Sequence, residues 1–163
     1  MRRMRPLILF VVLVLSFAAL LLTAGAAGTS VSSPALVKVA FNKKLKKSIL
    51  VDSRGFTLYL FTVDLHGKPT CYNDPTYHCS KEWPPLRTKG APRAGQGVKR
   101  SLLGVVKRTD GGVQVTYNGH PLYTDAGSIA IGVPGDKKPG DVNGQNFIGS
   151  WFVVSPQGKP IRF

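Results

Sequence analysis

Hydrophobic positions fall in two patterns along the chain. The first is one run of 16 residues, Leu7 to Leu22, apolar but for Ser16. Everything after it is short. The segments 35–41 (ALVKVAF), 48–52 (SILVD) and 56–61 (FTLYLF) are rich in β-branched and aromatic residues, as are 102–108 (LLGVVKR), 112–117 (GVQVTY), 120–124 (HPLYT) and 150–155 (SWFVVS). Such runs, bounded by turn chemistry, predict strands. Lysine-rich 42–47, DSRG at 52–55, TDGG at 109–112 and PQGK at 156–159 divide them. Asn118-Gly119 is the sharpest of the turn signals, because a two-residue type I′ hairpin needs positive φ at both central positions. No later stretch carries apolar residues at helical spacing for three turns, so the pattern predicts an all-β fold.

The pattern also repeats. GFTLYLF at 55–61 returns as GHPLYTD at 119–125, with Gly55, Leu58 and Tyr59 aligned on Gly119, Leu122 and Tyr123. Each copy follows a β-branched segment, Ile49 to Val51 or Val113 to Val115, and runs on to Trp83 or Trp151. This order predicts two related antiparallel hairpin units, about 37–90 and 98–163, each covering the apolar surface of the other in a sandwich or barrel-like domain.

Composition changes the picture at the N-terminus. MRRMR, the apolar run and TAGAAG form the basic, apolar and small-residue regions of an export signal, with cleavage expected after Ala26. An uncleaved anchor is the competing reading, although the run is shorter than the ~20 residues of a membrane span. Residues 27–36, small and polar, are expected as a flexible tether before the β domain at 37–163. No cysteine follows the apolar run, so no lipobox is present.

The formal charge is +14, or +11 when Arg2, Arg3 and Arg5 leave with the signal. Lys43, Lys44, Lys46 and Lys47 form one cluster, and the span 81–108 holds eight Lys or Arg against the single acid Glu82. For an extracytoplasmic protein this field favours anionic envelope polymers or a membrane surface. No aromatic and basic interleaving points to nucleic acid, and no sequence feature names a protein partner. The only two cysteines, Cys71 and Cys79, predict a disulfide in an oxidising compartment. A metal site using them with His66 and His78 is the alternative, but paired C-x-x-C spacing is lacking.

The residues themselves resemble a known family, the bacterial secreted repeat of unknown function found in tandem in predicted lipoproteins and marked by Tyr-x4-Asp. Tyr59 to Asp64 carries the motif with its aromatic Phe61, and Cys79 to Leu86 is similar to the family's cysteine followed by Trp-Pro-Pro-Leu. In the second copy 116–123, 139–145 and 151–161 are similar to the family's second unit. Two departures stand out. Asp125 replaces the aromatic expected after Tyr123, and Ser128 replaces the motif's aspartate. The resemblance implies a secreted envelope protein and no particular activity.

The motif's chemistry divides in two. Positions five apart on a strand face opposite ways, so Tyr59 and Asp64 meet only if the strand ends between them. Asp64 is then expected to accept turn amides or the Tyr59 hydroxyl. In the functional version, Tyr59, Phe61, Asp64, His66 and Tyr123 line an aromatic ligand pocket. Asp136, Asp141 and Asn143 in the loop 134–145 offer oxygen ligands for calcium, yet the spacing is not an EF-hand and a self-bonded solvent loop is expected. No G-x-S-x-G elbow appears, the three histidines lie in turn-like contexts, and nothing in the spacing of Asp64, Asp74, Glu82 or Asp125 requires a carboxylate pair. The expectation is a non-catalytic binding or scaffold module without cofactor or metal, with an electrostatic binder of anionic envelope polymers or lipid headgroups as the alternative and a small hydrolase or metal-dependent enzyme as the third reading.

Overall fold

A computed structural model of the chain describes residues 33–163 except 66, 75–77 and 129. The expected signal, and the tether up to residue 32, lie outside the described residues. Among the described residues ten strands carry the fold: β1 (Leu36–Asn42), β2 (Lys47–Val51), β3 (Tyr59–Phe61), β4 (Arg93–Ala94), β5 (Leu103–Lys107), β6 (Val113–Tyr117), β7 (His120–Pro121), β8 (Gly127–Ser128), β9 (Val133–Pro134) and β10 (Trp151–Val153). A single turn of α-helix, α1 (Cys79–Glu82), and a 3-10 turn at Arg100–Leu102 complete it. The protein is thus nearly all β, built from small sheets ordered β2-β1-β4, β10-β3, β5-β6-β7 and β8-β9. All strand pairs are antiparallel save β1 with β4.

The expected hairpins form where turn chemistry dictates. Lys46 takes φ 51° in the β1–β2 turn, and Asn118 and Gly119 take 50° and 77° between β6 and β7. In the DSRG turn, Asp52 Oδ1 accepts the amides of Arg54 and Phe56, both at 2.9 Å.

Beyond the hairpins, the halves of the fold interlock. Leu58 donates its amide to Leu50, Leu50 to Val154 and Val154 back to Leu58, at 2.9 to 3.1 Å, a closed ring of three backbone bonds. The same ring recurs among Leu122, Val115 and Leu86 at 2.8 to 3.0 Å. Val154 lies three residues after Trp151 and Leu86 three residues after Trp83. The segment following each tryptophan therefore closes the hairpin of the opposite half. At the seam Tyr59 and Tyr123 exchange both backbone bonds, at 2.9 and 3.0 Å.

Alternation explains why these runs are apolar throughout. Along a strand, neighbours face opposite sides. Ile49, Val51, Tyr59, Tyr123, Trp83, Trp151 and Val153 turn into one aromatic cluster. Leu50, Leu58, Leu60, Val115, Leu122 and Val154 turn into a second one, aliphatic apart from Tyr117. Both sides of the central strands are buried, so hydrophobicity is continuous rather than alternating. Burying each large side chain contributes about 1.5 to 3 kcal/mol.

Candidate functional site

The Tyr-x4-Asp motif sits at the seam. β3 ends at Phe61, and the chain turns at once, the Asp64 amide donating to the Phe61 carbonyl at 3.1 Å. Asp64 Oδ1 accepts the amide and hydroxyl of Thr70, at 2.7 and 2.8 Å, which pins the loop leading to Cys71. Its Oδ2 accepts a hydroxyl at 2.8 Å, but from Tyr123 in the other half and not from Tyr59. Of the two partners expected for Asp64, a turn amide is present, whereas the tyrosine hydroxyl is corrected from Tyr59 to Tyr123. Tyr59 and Tyr123 pair through an isolated antiparallel bridge, and each hydroxyl reaches the loop that follows the other.

The reciprocal contact exists without the reciprocal sequence. Tyr59 donates to Asp136 Oδ2 at 2.9 Å, and the Asn143 amide donates to Asp136 Oδ1 at 2.9 Å. Asp136 stands 13 residues after Tyr123, where Asp64 stands five after Tyr59. Ser128, at the motif's expected position, instead donates its hydroxyl to the Glu82 carboxylate. Spacing alone hides Asp136. Its one signal is the doubled Pro-Gly-Asp at 134–136 and 139–141.

Between the tyrosines lies an aromatic stack. Trp83 and Trp151 are parallel at 4.0 Å, Phe61 extends the stack on Trp151 at 4.2 Å, and Tyr59 and Tyr123 meet the two indoles edge-on at 5.4 and 5.1 Å. These are the offset and T-shaped arrangements that aromatic quadrupoles favour. Gly144 is required here, since a Cβ would lie 2.5 Å from the Trp83 ring.

Electrostatics follow from enclosure. Tyr59 and Tyr123 are wholly buried beside carboxylates, and desolvation first and the neighbouring charge second raise both hydroxyl pKa values. Burial also raises Asp64 and Asp136, against the hydrogen bonds that favour their charged forms. Asp125, 6% exposed, is pushed up to about 6, mainly by burial. It borders a cavity of about 10 Å³ with Trp83, Ser128, Gly144 and Phe147, room for about one water. Such hydroxyls stay protonated at neutral pH and act as hydrogen-bond struts.

Of the expected pocket residues, Tyr59, Tyr123 and Asp64 are buried and brought together, and Phe61 is half-buried on the same stack. His66 lies outside the described residues. Cys71 and Cys79 form the expected disulfide. That bond uses both thiols of the alternative metal site. Arg108 braces the closed loop: its side chain donates to the Cys71 carbonyl at 2.8 Å, Gln114 Oε1 at 2.7 Å and Asp110, and it stacks on Tyr72 at 4.3 Å. Burial works against the Arg108 charge, but the bonds to Asp110 outweigh it and hold the pKa above the usual value. In the loop 134–145, Asp141 Oδ2 accepts the amides of Lys137 and Lys138 at 3.0 and 3.1 Å, the self-bonded arrangement expected of a solvent loop.

Comparison with known proteins agrees with the resemblance drawn from the residues. The model of a family described as "secreted repeat of unknown function" matches residues 104–127, which take in most of β5, all of β6 and β7, and Tyr123. No curated protein and no solved structure matches the chain.

Proposed function

We propose that the protein is an exported, non-catalytic binding module of the cell envelope, its aromatic and carboxylate motif serving as the internal frame and its cationic exterior meeting the partner. The supporting observation is the division of labour between interior and surface. The motif's hydroxyls and carboxylates bond one another inside the fold, whereas Lys43, Lys44, Lys46, Lys47, Lys137 and Lys138 are all exposed. A surface of this sign attracts anionic polymers and headgroups, and salt screens that attraction.

The experiment is retention of the intact protein on an immobilised polyanion. Binding at low ionic strength that falls steeply as salt approaches physiological levels is expected. Absence of binding at every ionic strength, or turnover of a substrate that disappears in Asp64→Asn while the fold persists, overturns the reading.

A further inference from the structure

Resting on the reading just given, we propose that the groove between the β1–β2 turn and the 138–141 loop is a binding site for an anionic glycan, a sugar polymer bearing carboxylate or phosphate groups. The groove encloses about 340 Å³ and is lined by Phe41, Asn42, Lys43, Lys44 and Lys138 with residues 139–141. Three features set it apart from a merely solvated basic patch.

Its floor is built. Asn42, 3% exposed, donates to the Gly140 carbonyl at 3.0 Å and accepts the Leu45 amide at 2.9 Å, joining the turn to a loop some hundred residues away in sequence. Asp141 completes that floor, its Oδ2 taken by two amides and its Oδ1 3.6 Å from Lys44. The one carboxylate in the groove is thus already engaged, and Lys43 and Lys138 leave a positive balance.

Its wall carries an exposed aromatic ring. Phe41 is 66% exposed on β1, a large apolar surface left facing water. A sugar ring offers C–H groups on one face to pack on such a ring and hydroxyls on its rim, so ring packing and charge pairing act on the same ligand. Its shape is a groove, which suits a chain segment. Gly140, at φ 87° with nothing within 4 Å of a Cβ, keeps one side low. Charge complementarity selects the anion, and Phe41 selects a glycan over a bare polyphosphate.

The test measures binding of the intact protein to polygalacturonate, to poly(glycerol phosphate) and to phosphatidylglycerol vesicles. Lys43→Gln/Lys44→Gln/Lys138→Gln is expected to weaken polygalacturonate binding at least tenfold, and Phe41→Ala several-fold with the salt dependence unchanged. A control, Lys89→Gln/Lys99→Gln/Lys107→Gln, removes the same charge from other exposed positions and is expected to change binding less than threefold. Equal loss in the two triple variants overturns the groove but leaves the cationic-surface reading standing. No polyanion binding by the unmodified protein overturns both. Binding to vesicles without binding to the glycan, or equal Phe41→Ala sensitivity for poly(glycerol phosphate), transfers the site to lipid or to phosphate alone and overturns the glycan assignment. Circular dichroism of each variant separates a lost site from a lost fold.

Discussion

Asp64 of the motif takes its hydroxyl donor from Tyr123 and not from the motif's own Tyr59, and this partnership across the seam has a measurable signature. Removing the Tyr123 hydroxyl leaves a buried carboxylate short of one donor, a change costing about 1 to 3 kcal/mol. In a double-mutant cycle, Tyr123→Phe with Asp64→Asn is expected to be non-additive by about 0.5 kcal/mol or more, whereas Tyr59→Phe with Asp64→Asn is additive. Urea denaturation of the single and double variants checks both. A coupling of Tyr59 with Asp64 in place of Tyr123 would restore the pairing within one copy. At this scale the sequence displayed the tyrosines and Asp64 clearly, because aromatic residues inside short β-branched runs belong in cores. Asp136 was hidden, since a loop of different length brings it to the same place and only the folded geometry shows that.

At the element scale, the hairpins were legible wherever the turn residues dictate backbone angles, as at Asn118-Gly119. The two-residue strands β4, β7, β8 and β9 were less so, because stretches this short are held by their neighbours and carry little pattern of their own. α1 is one turn set between the disulfide and Trp83, with the Trp83 amide closing onto the Cys79 carbonyl at 2.7 Å. The Cys71–Cys79 loop tests how such an element is held. On the chain-entropy account its covalent closure contributes about 2.5 kcal/mol. Cys71→Ser/Cys79→Ser is expected to lower stability by about that amount in thermal unfolding. Arg108→Met, which strips the brace from the Cys71 carbonyl while keeping the disulfide, is expected to raise amide exchange within residues 71–82 selectively. Uniform exchange across the domain in that variant would deny the brace its local role.

For the whole molecule, the buried carboxylates set the response to acid. Asp64, Asp125 and Asp136 have folded-state pKa values raised above those of the unfolded chain, and Asp110 and Asp141 have lowered ones. Raised acids bind protons in the folded state first, so stability increases as pH falls from about 6 toward 4. Below that window the lowered pair takes over: the unfolded chain now binds more protons, and stability declines. A maximum on the acid side of neutrality is therefore expected in denaturation midpoints measured from pH 7 to 3, with Asp125→Asn flattening the rise between 6 and 4. Stability that declines steadily from pH 7 downward would contradict it. What no local pattern disclosed at this scale is the exchange of segments between halves. The runs around Leu86 and Val154 look like any short strand, and only their opposite placement reveals the interlock.

That exchange makes each ring of backbone bonds depend on a segment distant in sequence. The ring around Leu50 and Leu58 closes only when Val154, about a hundred residues further along the chain, docks beside them. A message truncated shortly before Trp151 would yield a product with half of its indole stack uncovered, easy prey for quality-control proteases.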